Sequence, residues 1–246
     1  MSEKKGREKM GKIIQINNLY KEYRSKSCTV SVLKDINLEI ERGEIAVLLG
    51  RSGSGKTTLL NVIGGLLTPD KGNVLIDGQE LYGGTKDLFG LGLGGISESR
   101  RAEIRNKKIG YIYQDINLIN ELNVLENIRL PFDIAGRRYD IEYENKIIDM
   151  LRLRDRLRFY PAQLSGGERQ RTAIARAMVK KPSIILADEP NGNLDSRTGR
   201  ELMEFIKEFG REQSQTFLVV THDKTWLEYA DKVYEISDGE VLPYVS

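Results

Sequence analysis

Cysteine and histidine are almost missing from these 246 residues, which contain only Cys28 and His222. A single cysteine cannot close an intramolecular disulfide, so a secreted, disulfide-stapled scaffold is excluded and a reducing compartment fits. Long apolar runs are missing too. None approaches the roughly 20 residues that a bilayer span needs, so any membrane role must come through a partner. Charge of one sign is not in excess either: 38 Lys and Arg face 36 Asp and Glu, for a net +2, and the balance does not call for nucleic acid. Two local basic clusters do not change that reading. Arg152, Arg154, Arg156 and Arg158 are diluted by Asp149 and Asp155, and Arg100, Arg101, Arg105, Lys107 and Lys108 read in the same way as a solvated helix end. Residues 1–12 are lysine-rich with no apolar stretch, which is no secretory signal, and they are expected to form a disordered extension. The remaining 13–246 are long enough for one α/β domain with a full core and a helical elaboration.

What is present is sharper. Gly50-Arg51-Ser52-Gly53-Ser54-Gly55-Lys56-Thr57 fits GxxxxGK[ST]. It follows the apolar run Ile45–Leu49 and precedes the helix start Thr58-Leu59-Leu60. Strand, glycine loop and helix form the context that gives this motif its meaning. The glycines let the N–H groups of residues 53 to 57 turn inward around a β-phosphate. Lys56 adds a point charge for the β- and γ-oxygens, and the Thr57 hydroxyl can ligate Mg²⁺. Further on, Ser183–Ala187 is an apolar strand that ends in Asp188-Glu189-Pro190. Adjacent strand residues face opposite ways. One carboxylate held toward Mg²⁺, assigned to Asp188, and one polarising a water, Glu189, is the pair that phosphoryl transfer to water requires.

Between these two lies Leu164–Arg171, LSGGERQR. Ser165 is a good N-cap, Gly166 and Gly167 let backbone approach a ligand, and the chain from Glu168 to Lys180 reads helical. A capped helix start with free N–H groups is an anion site. One phosphate loop plus a second, separate phosphate-seeking helix start suggests a nucleotide sandwiched between two copies of the chain.

Six segments in order resemble those of ATP-binding cassette ATPases: GRSGSGKTT at 50–58, Gln114 after Ile109–Tyr113, LSGGERQR, ILADEP at 185–190, Asn193-Leu194-Asp195, and His222 after Phe217–Thr221. The resemblance covers about residues 12 to 242. It implies that Thr58 belongs with the phosphate loop, and that Tyr23 stacks on adenine, with Tyr20 nearby as the competing aromatic. It implies that Gln114 reaches Mg²⁺ and the attacking water, and that Ser165, Gly166, Gly167 and Glu168 meet the partner's nucleotide. Asp195 would couple the two sites, and His222 would sense the γ-phosphate. Asn191 stands where the family more often has threonine and is expected to matter little. The stretch from Gln114 to Pro131 is similar to the branch that serves lipoprotein release, macrolide-type efflux and antimicrobial-peptide resistance, together with a relative acting in cell division.

The fold expected is therefore α/β: a P-loop NTPase (RecA-like) core, a flanking antiparallel β-subdomain and a helical signature subdomain at about 115–180. Alternation at Ile36, Leu38 and Ile40, with Ile13–Ile16 and Asn73–Ile76, marks the antiparallel sheet. Asp238-Gly239 marks a closing hairpin. Residues 83–95, with six glycines among Leu88, Phe89, Leu91 and Leu93, read as a surface loop, with contact to a partner or membrane face as the alternative. The expected function is ATP hydrolysis with Mg²⁺ by a dimer that drives an integral membrane permease, the chain being cytoplasmic and peripheral on the inner membrane face. Regulation of cell-wall or division machinery without transport is the alternative. A soluble cassette acting on ribosomes or DNA fits less well, because neither a second cassette nor a long coiled coil is present.

Overall fold

Two sheets organise the chain in a computed structural model that describes residues 11–25, 28–83 and 96–245. In the first sheet, β1 (Lys12–Arg24) pairs antiparallel with β2 (Thr29–Glu41) on one side and β4 (Lys71–Ile76) on the other. β5 (Gln79–Tyr82) extends it through a turn at Asp77-Gly78, both residues at positive φ. The second sheet runs β10 (Glu240–Pro243), β9 (Lys232–Ser237), β3 (Ile45–Leu49), β8 (Thr216–Thr221), β7 (Ile184–Asp188), β6 (Ile109–Ile112). Its strands are parallel except for the β9–β10 hairpin at Asp238-Gly239.

The strand period of two decides what lies on each face of the parallel sheet. Ala46, Leu48, Ile184, Leu186, Leu218 and Val220 join one core with α1 (Lys56–Ile63) and the antiparallel sheet. Their alternates Val47, Leu49, Ile185, Ala187, Phe217 and Val219 join a second core. That core includes α3 (Val124–Ala135), α4 (Ile141–Met150), α5 (Gly166–Met178) and α6 (Ser196–Gln213). Both faces are covered, so these strands read as continuous apolar runs. Counting on in twos from Ile184 puts the Asp188 side chain on the α1 face.

β1 begins at Lys12, within the segment expected to be disordered, and runs on to Arg24 instead of stopping at Ile16. Its register shifts between Ile16 and Leu19 and again before Lys21, with Asn18 at φ 47. Those bulges break the alternation that the sequence would otherwise display. Residues 115–180 carry α3, α4 and α5 with two short 3₁₀ turns at Arg154–Arg156 and Pro161–Gln163. α2 (Glu98–Lys108) precedes β6 and buries only Ile104. Residues 1–10 and 84–95, and with them most of the glycine-rich insertion, lie outside the described residues.

Candidate nucleotide site

β3 ends in a loop that the backbone itself shapes. At Gly50 an added Cβ would lie 2.6 Å from Ser54 Oγ and 2.7 Å from the Ile236 carbonyl oxygen, so no side chain fits. Gly55 opens α1 at φ 102, a conformation that only glycine takes freely, and no side chain caps the helix. The first-turn amides are thus left for an anion. Lys56 is buried, its Nζ donating to the carbonyls of Gly50 (2.8 Å) and Arg51 (2.9 Å). An ammonium has three protons, so one is still uncommitted. Ser54 Oγ is buried with no hydrogen-bond partner among the described residues. An uncommitted ammonium proton and an orphaned hydroxyl beside free amides fit a bound phosphate.

The two carboxylates after β7 are held in different ways. Asp188 faces α1, where the Thr57 hydroxyl donates to it across 3.4 Å. Burial pushes its carboxyl up, and adjacent Glu189 adds to that against Thr57 and Lys56. A buried carboxylate short of positive charge is a fit for a metal ion. Among the described residues no three Asp, Glu, His or Cys side chains cluster as a metal cage. Mg²⁺ keeps waters and phosphate oxygens as most of its ligands, so a buried carboxylate beside the Thr57 hydroxyl is a compatible donor set.

Glu189 leaves the strand period altogether. Its φ is 43, in the left-handed region, which a glutamate occupies only when its surroundings fix it. Its amide donates to the Val220 carbonyl at 2.9 Å. Its Oε2 accepts from the Thr221 hydroxyl at 2.7 Å, and its Oε1 accepts from the His222 amide at 3.1 Å. His222 Nδ1 lies 2.8 Å from the same Oε1. A carboxylate can only accept, so Nδ1 carries the proton and Nε2 is left for another group. The ring is 71% exposed while Glu189 is 10% exposed, so the pair projects from a fixed base into an open cleft. That cleft is lined by Val32, Arg51, Ser52, Gly53, Gly55, Lys56, Thr57, Thr58, Gln114, Glu189 and His222. Gln114 is exposed there, and its backbone carbonyl accepts from Asn193 Nδ2 at 3.0 Å.

Three predicted groups lie elsewhere. Tyr23, 47% exposed near the end of β1, does not line this cleft; Lys21 Nζ sits 5.8 Å from its ring centroid. Asp195 caps α6, accepting from the amides of Arg197 (3.0 Å) and Thr198 (3.1 Å) and from the Thr198 hydroxyl (2.6 Å). Ser165–Glu168 opens α5 as a capping box: Ser165 Oγ accepts from the Glu168 amide at 3.2 Å, and Glu168 Oε2 accepts from the Ser165 amide at 2.8 Å. None of these signature residues lines the cleft of its own chain.

Several contributors were not legible beforehand. Arg156 is not simply part of a solvated helix end; its Nε donates to Glu168 Oε1 at 2.7 Å and fixes the signature glutamate. Buried Gln170 donates to the Pro190 carbonyl at 2.8 Å, tying α5 to the acidic strand end. Thr221 was visible only as the residue before His222. Asn191, expected to matter little, accepts from the Trp226 indole and donates to Asp223, each at 2.9 Å.

A glycine loop opening a helix at the end of a central parallel strand, with an acidic strand end beside it, defines a P-loop nucleoside triphosphatase. Comparison with known proteins narrows this. The ABC transporter family model matches residues 33–192. An uncharacterized ABC transporter ATP-binding protein of Methanocaldococcus jannaschii, MJ1508, is 40% identical over 95% of this chain and all of its own. The lipoprotein-releasing system ATP-binding protein LolD of Shewanella frigidimarina is 39% identical over 92% of this chain and 91% of its own. Among solved structures, the dimeric post-hydrolysis state of the cassette MJ0796 with ADP and Pi superposes with a TM-score of 0.80. It is 34% identical and covers 95% of this chain and 99% of its own. The chain belongs to the ABC transporter family, as an ATPase subunit.

Proposed function

We propose that two copies close head to tail on two molecules of ATP and thereby drive an integral membrane permease. The observation that carries this reading is the separation of the two phosphate-seeking helix starts. Arg51, Lys56, Thr57 and Glu189 share one cleft, whereas Ser165–Glu168 lies outside it, so one chain encloses only one side of a nucleotide. The MJ0796 cassette, dimeric with ADP and Pi, is consistent with it.

In this reading the N–H groups of residues 53 to 57, with Lys56, hold the β- and γ-phosphates. Thr57, Asp188 and Gln114 would hold Mg²⁺, which supplies charge neutralisation on the phosphate oxygens when bound. Glu189, its Oε2 held by Thr221 and its Oε1 by the His222 amide, accepts a proton from the attacking water. His222 turns its free Nε2 to the γ-phosphate. Gly166, Gly167 and Ser165 of the opposing copy close the other side, with Asp195 near the junction. Tyr23 stacks on the adenine ring at the mouth of the site. Hydrolysis then depends on closure, and closure is the step that does mechanical work.

A membrane partner is supported by the surface around the start of α3. Ile119, Phe159 and Tyr160 are exposed apolar side chains, and the Val124 amide donates to the Phe159 carbonyl at 2.9 Å, which joins the two segments. No helix of the described residues is long and apolar enough to cross a membrane, so attachment to the inner face would run through that contact. The central test is Glu189→Gln with ATP and Mg²⁺. Turnover is expected to fall by about 10² to 10⁴ while the protein shifts to dimer size on a sizing column. A variant that stays monomeric with bound ATP would overturn the sandwich.

A further inference from the structure

Glu189 and His222 are joined by a second set of contacts behind the cleft. Only Pro190 separates Glu189 from Asn191, and three residues lie between His222 and Trp226. Trp226 is fully buried in a short 3₁₀ turn, Lys224–Glu228, that Asp223 caps through a 2.9 Å bond from the Thr225 amide. The indole N–H donates to Asn191 Oδ1 at 2.9 Å, and Asn191 Nδ2 donates to Asp223 Oδ2 at 2.9 Å. The Asp223 amide donates to Thr221 Oγ1 at 3.0 Å. With that lone pair engaged, the Thr221 hydroxyl proton is turned toward Glu189 Oε2, 2.7 Å away.

The contacts form a closed ring: Glu189, Pro190, Asn191, then Asp223 and Thr221 back to Glu189. Neither Asn191 nor Trp226 lines the cleft that holds Lys56 and Glu189, and Trp226 is fully buried. We infer that Asn191 is a positioning residue that latches the loop carrying His222 to the segment carrying Glu189, with Trp226 as the far anchor of the latch. This rests on the reading of Glu189 and His222 as the hydrolytic pair. Asn191 suits the task because one amide donates and accepts at once, serving the indole and the carboxylate together. A leucine of similar size fills the space and serves neither.

Trp226 is the only tryptophan in the chain, so its emission reports on the latch without competition from another indole. The experiment compares Asn191→Leu, Trp226→Phe and the double variant for kcat and KM of ATP hydrolysis, and follows Trp226 emission on adding ATP and Mg²⁺. Asn191→Leu and Trp226→Phe are each expected to lower kcat about tenfold with KM unchanged, the loss of one or two geometry-setting hydrogen bonds. The double variant should fall no further than Asn191→Leu, because the two residues act as one unit. In a Glu189→Gln background, ATP should change Trp226 emission, and Asn191→Leu should abolish that change while ATP still binds. Should Asn191→Leu destabilise the fold, Trp226→Phe alone decides the matter, since it removes one donor and little volume. A kcat within twofold of the parent in Trp226→Phe would overturn the latch, as would an unaltered emission response in a folded Asn191→Leu. Glu189→Gln keeps the two ideas apart. If it hydrolyses ATP at the parent rate the catalytic reading fails, whereas an inactive Glu189→Gln beside a fully active Trp226→Phe removes the latch alone.

Discussion

At the scale of single residues, Glu168 shows how a signature motif and a stability device share atoms. The Ser165 amide first, and the Arg156 guanidinium after it, hold the Glu168 carboxyl at about 2 against an ordinary 4.5, with burial working the other way. A carboxylate whose folded value is depressed stabilises the fold above its unfolded value, and the contribution disappears as pH falls through the folded one. For Glu168 that window runs from about 4.5 down to about 2. Thermal melts of the parent and of Glu168→Gln should therefore differ at pH 6 and converge as the pH is lowered through this range. A constant difference would show that Glu168 stabilises by packing and not by charge. The same glutamate could be placed from sequence as the third residue after an N-cap serine. Arg156 could not, because the chain from 157 to 167 between them includes a turn and a second 3₁₀ segment whose path no local pattern states.

At the scale of elements, the distinction between legible and illegible follows from range. The phosphate loop with its strand and helix, the closing hairpin at Asp238-Gly239, and β7 rest on neighbours in the chain, and each stands within a residue or two of its expected place. α2 was hidden because eleven residues bury one isoleucine and leave no apolar stripe to read. α6 did carry a stripe, Leu202, Met203, Ile206 and Phe209, and its cap Asp195 was read for a different role. The loop from Asn117 to Leu122 is illegible for another reason: its shape is imposed by Asn127, fully buried on α3. Asn127 Oδ1 accepts from the Ile119 amide, and Nδ2 is shared among the carbonyls of Ile119, Leu122 and Asn123, all within 2.8 to 3.1 Å. Asn127→Leu leaves those groups without partners and should cost about 2 kcal/mol. For a chain of this size that corresponds to a fall in Tm of about 4 to 8 °C. Since the loop presents Ile119, stimulation of turnover by the membrane partner should fall with it. A melt equal to the parent's would show that water replaces the asparagine there.

At the scale of the whole molecule, the two helix starts make a prediction that no single chain can satisfy. In a head-to-tail pair, each nucleotide uses Lys56 of one copy and the signature of the other. Lys56→Ala should be inactive because the ammonium that meets the phosphate is gone. Gly166→Asp should be inactive for a different reason. Nothing lies within 4 Å of a Cβ added at Gly166, so the fold accepts the side chain, and the new carboxylate then faces the partner's phosphate. Mixed in equal amounts, the two variants form hybrids in which one site carries both defects and the other carries neither. Half of the dimers are hybrids with one good site in two, so about a quarter of the parent turnover should return. Separate sites within each monomer would give no recovery at any ratio. Recovery must also rise and fall as the mixing ratio passes through one to one, which distinguishes shared sites from contamination by parent protein. Cross-complementation thus tests the link from a serine cap and a glycine pair to the assembly that the family's mechanical work requires.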